Sequence, residues 1–392
     1  MQSHTSRVFT HVVAFALNAF AACAGAAGIE VNPAFPAYGQ DISVQFADTG
    51  PAPYIPATRY HRNGGTITLE LERIAGGYFG WRSDMAYLPV ALGELAPGRY
   101  TVQAKLFDIS NPDAPPYLFT HGIDVAAPDA PGVYAVPRTP GAYEGFQLVV
   151  RADGPIDASS LRATIAGSSI RVDFEISSDP AAPSFATVSV AGVMPGGYRA
   201  EAFGRVPGVM VPARRFAGDF RVDSTTTVVE YYSPKLDHYL ISAWPDEIAA
   251  LDADPRAAFQ RTGERFKAWL RAADAPASAA PVCRFYASGP NSHFYTADAG
   301  ECQYLKSLEA KQRADATSKG QSFRGWQFEA IAFYAAALQG GSCPAGTRAV
   351  YRAYNNRAAQ EDANHRFTAS GTMRAAMRMD WADEGVAFCS PL

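Results

Sequence analysis

Three stretches in the last third of the chain repeat one pattern, and that repeat limits the fold more than any other feature. They are VVEYYSPKLDHYLIS (Val228–Ser242), VCRFYASGPNSHFYTA (Val282–Ala297) and VYRAYNNRAAQEDANHRFTA (Val350–Ala369). Each reads as a hairpin. A short strand ends at Tyr232, Tyr286 or Tyr354, a polar loop follows, and a polar residue and a histidine open the return strand: Asp237-His238, Ser292-His293, Asn364-His365. The tyrosine-to-histidine spacings are 6, 7 and 11, so length varies where a hairpin tolerates it. A closing strand follows each hairpin. FQRTGERF, WQFEAIAF and WADEGVAF align without gaps, with Phe259, Trp326 and Trp381 first, Gly263, Ala330 and Gly385 fifth, and Phe266, Phe333 and Phe388 last. The small residue reads as a close backbone approach and the rings on either side as core. Helical stretches such as Asp246–Phe259 and Ala299–Gln312 lie between hairpin and closing strand. A unit of strand, strand, helix and strand is too small to bury its own apolar face. The three are expected to pack as one domain with a pseudo-threefold arrangement.

The rest of the chain alternates with period two. Ile42, Val44 and Phe46, then Ile67, Leu69 and Leu71, then Tyr100, Val102, Ala104 and Leu106 each place one strand face in a core. ELAPGRYTVQA and GVMPGGYRAEA share a mark: Pro97-Gly98 before Tyr100 and, 98 residues later, Pro195-Gly196 before Tyr198. Both resemble the "PGxYxV" turn of the immunoglobulin-like domains that bacterial exported proteins string together. That likeness implies two sandwiches without the cysteine pair of antibody domains, serving as spacers or presenters. The stretch Ala127–Gly141, rich in Pro and Gly, reads as a linker or domain edge. The expected division is a signal peptide over 1–26, a first immunoglobulin-like β-sandwich over 27–127, a second over 128–224 and the three-repeat domain over 225–392. The fold class is mainly β with some α.

The RFY…HFYT hairpin followed by W-x-x-E-G-x-A-F also resembles a C-terminal repeat of secreted bacterial proteins known as a domain of unknown function. The likeness covers Thr226 to Leu392, and the second copy matches best. The first departs at Leu240-Ile241, where the family has Tyr-Thr, and at Phe259, which replaces Trp. The third carries Arg366 in place of the first aromatic after the histidine. The resemblance brings no activity. Members are often attached to secreted enzymes or adhesion-like modules, which implies an accessory or binding role.

The N-terminus reads as an export signal: Arg7, an apolar run from Val8 to Ala22, and Ala24-Gly25-Ala26 as a cleavage site. This places the protein in the periplasm or outside the cell. Phe20-Ala21-Ala22-Cys23 is the alternative, a lipid anchor at Cys23. No later segment is long and apolar enough to span a bilayer. The remaining cysteines, Cys283, Cys302, Cys343 and Cys389, are even in number, and the favoured pairing is Cys283–Cys302 with Cys343–Cys389. A net charge of -4 with 18% charged residues offers no basic field for nucleic acid.

Chemistry in the repeats is weighed against structure. Three histidines on a threefold axis would make a zinc site, yet strand-opening positions in separate repeats face outward, and no metal or other cofactor is expected. Shared tyrosines are expected in the core. Trp244 and Trp269, found only in the first copy, are the better candidates for a binding surface, together with His238, His293 and His365. No G-x-S-x-G elbow or phosphate loop occurs, and no free thiol is left once the four cysteines pair. The expected function is non-catalytic binding or adhesion, with an extracellular glycan or cell-surface protein as partner. The alternative is a secreted hydrolase using the repeat histidines with acids such as Asp237.

Overall fold

The computed structural model describes residues 28–47, 59–73, 89–108, 111–254, 256, 258–378 and 380–392. The expected signal segment and Cys23 lie outside these. The described chain is mainly β, with three α-helices and one short 3-10 turn, and none of the helices is long and apolar enough to cross a membrane.

The first seven strands are β1 (Gly28–Asn32), β2 (Asp41–Ala47), β3 (Arg59–Asn63), β4 (Thr66–Arg73), β5 (Val90–Glu94), β6 (Gly98–Asp108) and β7 (Tyr117–Val125). The next seven are β8 (Gly132–Val136), β9 (Phe146–Arg151), β10 (Ile156–Ala166), β11 (Ser169–Ile176), β12 (Phe185–Val190), β13 (Gly196–Arg205) and β14 (Arg214–Val222). The two sets have one topology. A three-stranded layer, β1-β2-β5 or β8-β9-β12, faces a four-stranded layer, β3-β4-β6-β7 or β10-β11-β13-β14. In both, the one parallel contact joins the same strands, β4 with β6 and β11 with β13. The alternating residues named above fill the first core, and Leu148, Val150, Val172 and Ala202 are among those filling the second.

The shared Pro-Gly-x-Tyr mark has a local cause. Gly98 and Gly196 adopt φ of 141° and 149°, which residues with a Cβ avoid. Two residues on, each tyrosine hydroxyl donates to a carbonyl four residues back, Tyr100 to Ala96 (2.7 Å) and Tyr198 to Met194 (2.9 Å). The hydroxyl satisfies a carbonyl where the chain enters the strand, so the ring can be buried without stranding a polar group. The stretch 127–141 is not wholly linker. It contains β8, whose Val133 and Ala135 are buried while the strand pairs with β9.

The tail consists of three segments of like order. The first is β15 (Thr226–Ser233), β16 (His238–Ser242), α1 (Pro245–Ala253) and β17 (Gln260–Ala268). The second is β18 (Ala279–Ala287), β19 (Ser292–Thr296), α2 (Ala299–Ser318) and β20 (Trp326–Ala336). The third is β21 (Thr347–Tyr354), β22 (His365–Thr368), α3 (Gly371–Met377) and β23 (Ala382–Pro391). Helix α1 stops before Pro255, which disfavours helical backbone in the residue ahead of it, so the expected extension to Phe259 does not form.

Each opening strand pairs with its closing strand at an equivalent place: Val228 with Phe266, Val282 with Phe333, Val350 with Phe388. The three phenylalanines meet in one buried triangle, with ring centroids 6.0, 5.8 and 5.6 Å apart. The fifth-position small residue has a different cause from the one expected. Gly263 and Gly385 take φ of 91° and 85° next to bulges in the pairing, while Ala330 does not need a positive φ. Of the three fifth positions, a close approach occurs at Gly263, where an added Cβ would lie 3.1 Å from Val90 of β5. Cys283–Cys302 and Cys343–Cys389 are bonded as expected.

The N-terminal layers and the tail touch directly. Arg261 of β17 pairs with Tyr60 of β3, which extends the first four-stranded layer into the tail. Tyr38 packs on Tyr134 at 5.3 Å, joining the first fourteen strands' two bodies. Tyr143 donates to Asp274 at 2.8 Å, and the Glu144 carboxylate accepts from Thr226 and from the backbone N–H of Thr227, tying the second body to the tail.

Candidate functional site

The hairpin register revises the alignment of the histidines. Across β15 and β16, Tyr232 pairs with Tyr239. Across β18 and β19, Tyr286 pairs with His293, and across β21 and β22, Tyr354 pairs with His365. The first two hairpins therefore have equal loops. Asp237 and Asn291 both take a left-handed φ, near 54° and 50°, and both accept from their tyrosine hydroxyl. His238 is the counterpart of Ser292 and Asn364, and the first copy has a tyrosine where the others have histidine. The apparent departure at Leu240-Ile241 shifts likewise: these residues stand where Phe294-Tyr295 and Arg366-Phe367 stand.

The three histidines are not gathered into one site. His238 is 2% exposed and both ring nitrogens are engaged, with the Asn291 carbonyl at 3.3 Å and with Asp362 at 2.6 Å. Neighbouring Asn364 bonds Ser292 and both backbone groups of Tyr239, so His238, Ser292 and Asn364 join the three return strands. His293 packs on Tyr286 and lies 3.0 Å from Arg284, and His365 stacks on Tyr354. Burial, and then the neighbouring guanidinium of Arg284 or Arg352, pushes both imidazoles down to about 3, so they are neutral at ordinary pH. None of the three lines either of the two clefts described here. Asp237 is held by Tyr232 and Arg357 instead of by a histidine. Among the described residues no group of three or more His, Cys, Asp or Glu could hold a metal ion.

The tryptophans are also part of the scaffold. Trp269 is 8% exposed and packs with Ala336 and Cys389, while its backbone bridges to Tyr334, so it offers no open ring face. Trp244 is half-buried under Arg284, whose guanidinium sits 4.5 Å from the ring centroid.

Arg284 marks the first of three seams between units. It reaches back to Glu247 of α1 through two bonds of 2.7 and 2.8 Å and across its own sheet to Glu329 at 2.8 Å. Burial alone would raise the Glu247 carboxyl, but Arg284 overrides it and holds it below the usual range. At the second seam Arg352 repeats the arrangement, with Glu301 of α2 at 3.0 Å and Glu384 at 2.7 Å. The third seam, between the last unit and the first, is inverted. The strand position holds Glu230, the helix position holds Met373, and the cation comes from Arg366 of β22, bound to Glu230 at 3.0 and 2.9 Å. Arg366 also covers Tyr239, 4.1 Å from its ring centroid. The Arg366 departure noted in the sequence is therefore the partner of the Glu230 departure.

A cleft of roughly 380 Å³ opens at this inverted seam, against β5 of the first body. Tyr232, Tyr239, Arg366 and Met373 line it from the tail, and Arg59 and Val90 line it from the N-terminal side. Its remaining walls carry Glu264, Arg265 and Arg348. The equivalents of Glu264 are Ile331 and Val386, and those of Arg265 are Ala332 and Ala387. Arg348 stands where Thr226 and Ala280 stand. Charge is thus written into this seam at positions that are uncharged in the other two. Arg59 is bound to Glu70 at 3.4 Å, whereas Arg265 and Arg348 form no ion pair with a described carboxylate. Burial and the Glu230 charge push the Glu264 carboxyl up, and the Thr368 hydroxyl donates to it. The sequence reading did not single out these residues: the gap-free closing strands already set Glu264 and Arg265 opposite uncharged residues, but that they meet Arg348 in one cleft is visible only in space.

A second cleft of roughly 360 Å³ lies on the other side of Gly263, between Tyr60, Glu144, Asp252 and Arg261. There Arg261 and Asp252 bind each other at 2.6 and 2.8 Å, and Gly263, Glu264 and Arg265 line this cleft as well as the first.

Compared with curated proteins and with solved structures, the chain finds no match in either. Residues 227–391, the tail with the seams and the charged cleft, match the family described as a domain of unknown function, DUF5648.

Proposed function

We propose that the protein is an exported binding protein without catalytic chemistry of its own. In this reading two immunoglobulin-like sandwiches carry a tail built as a threefold repeat, and the inverted seam of that tail takes a glycan or a protein segment. The observation that carries the reading is the cleft itself: departures from the repeated pattern converge on one concave, charged place. A scaffold needing only to fold could use the same seam three times. Two cysteine pairs and the absence of a membrane-crossing helix among the described residues are compatible with a periplasmic or extracellular location. Hydrolysis by the repeat histidines has little to stand on. His238 has no free nitrogen, and His293 and His365 lack a nucleophile and lie outside both clefts.

The test uses the full chain on a glycan array and in pull-downs with defined surface proteins, beside a variant with Tyr239→Ala and Arg348→Ala. A ligand retained by the wild type and lost by the variant supports the reading. If no glycan or protein is retained, or if every retained ligand ignores the variant, the reading fails.

A further inference from the structure

The cleft's charge and shape narrow the ligand, and this inference rests on the binding reading above. The fixed pairs in and around it cancel: Arg366 with Glu230, and Arg59 with Glu70. That leaves Arg265, Arg348 and Glu264. Both arginines are exposed and line the cleft, and the Arg348 guanidinium donates to the Arg265 backbone carbonyl at 3.5 Å. The cleft therefore has a net positive wall even with Glu264 ionised, and a more positive one when it is protonated. A guanidinium is a planar fork that takes a carboxylate or sulfate through two parallel bonds. The aromatic side of the cleft comes from Tyr232 and Tyr239, each half-buried, packed together with centroids 4.9 Å apart and with Arg366 over the Tyr239 ring, so a sugar ring meets an aromatic wall rather than a flat open platform. The volume is that of a small-ligand pocket and is too small for a folded partner.

We propose that this cleft binds an acidic sugar, a glycan residue bearing a carboxylate or sulfate. The acid is held by Arg265 and Arg348, and the ring lies along Tyr232 and Tyr239. Glu264 stands next to the acid's place as a group whose protonation favours binding. It is faced by Glu230 from β15, Arg348 from β21, and Arg366 and Thr368 from β22, and Arg59 of the first body lines the same cleft. An arriving anion favours its protonated form, so acid binding takes up a proton and weakens as pH rises through its titration range.

The experiment is calorimetric titration of the full chain with oligogalacturonate, a sulfated galactan oligosaccharide and a neutral galactan oligosaccharide of matched length. Arg265→Ala/Arg348→Ala is measured in parallel, and both exchanged positions are exposed, so the fold is retained. Binding of the uronate or the sulfated oligomer, weakened at least tenfold in the variant and by added salt, with the neutral oligomer unbound, is the expected result. The stronger of the two acidic oligomers identifies which acid is preferred. Equal binding of the neutral oligomer overturns the acidic-sugar inference and leaves the binding reading intact. Acidic oligomers bound equally by wild type and variant overturn the assignment to this cleft. If no oligomer binds, but the array and pull-downs find a ligand that the cleft variant loses, the sugar assignment alone falls. If those also stay empty, both fall together.

Discussion

Two seams of the tail place a strand arginine between a helix glutamate and a sheet glutamate, and the third reverses the polarity and replaces the helix glutamate with methionine. The third has a cleft of roughly 380 Å³. The difference teaches that the ion pair at each seam is a means of registering one unit on the next, and that its sign is free to change if both partners change together. A buried pair contributes little net stability over an apolar substitute but costs much when one partner is lost. Inverting one pair is therefore tolerated, and it releases the helix position and neighbouring sites to carry other groups.

The largest expected effect breaks that pairing. Glu230→Ala leaves Arg366 buried and unpaired and is expected to cost about 3–5 kcal/mol, read as a lowered denaturation midpoint. The triple change Glu230→Arg, Arg366→Leu and Met373→Glu rebuilds the polarity of the other seams and is expected to recover most of that loss. If the triple variant is no more stable than Glu230→Arg alone, the equivalence of the seams is wrong.

A second comparison concerns how each opening strand holds its own helix. The slot taken by Val229 and Ile248 in the first unit is taken by Cys283–Cys302 in the second and by Tyr351 under Arg374 in the third. The disulfide closes a loop with a sequence separation of 19. Replacing both cysteines with Val and Ile removes a constraint of about 3 kcal/mol on the unfolded chain, offset in part by the apolar contact that serves the first unit. Urea titration of this variant beside a double serine variant separates the two contributions. Equal midpoints for the two would mean that the slot is not apolar in the second unit.

The smallest effect is graded by pH. His293 and His365 are held neutral down to about 3, whereas an unfolded histidine takes up a proton near pH ~6.5. The unfolded chain then binds more protons, so stability is fully present above that value and is lost as pH falls toward 3. The slope is up to about 1.4 kcal/mol per pH unit for each histidine. The inverted seam has Tyr239 at this position, so no histidine there adds to the slope. Unfolding free energies at pH 7 and pH 5 are expected to differ less in His293→Gln/His365→Gln than in the wild type. An unchanged difference would show that other groups carry the acid sensitivity.

Much of this was legible in the residues. Period-two alternation gave the strands, and the Pro-Gly-Tyr mark located the same turn in both N-terminal bodies. The F-x-x-x-x-x-x-F and W-x-x-x-x-x-x-F spacings picked out the three phenylalanines that meet at the centre. These signals are local, because side-chain alternation and turn chemistry are set within a few residues. The site was not legible. Histidine drew attention as a chemically versatile residue, and a one-residue slip in the first copy made three histidines look equivalent. Such a slip changes which residue faces which partner, and only strand pairing fixes it. Trp269 looked available because it lacked a counterpart in the other copies, yet the meeting of β17 with β20 buries it.

The sequence by itself determined that this chain forms short alternating strands, that three stretches of its tail share one pattern of residues, and that its tail holds an even number of cysteines with one favoured pairing. Those follow from periodicity, spacing and parity, properties of the chain alone. Tertiary structure decided which seam would be inverted, that Glu230 and Arg366, separated by 136 residues, share one bond pair, and that a cleft opens where they meet. The physical reason is that electrostatic pairing and concavity depend on distance in space, and residues far apart along a chain acquire that distance only when the sheets close.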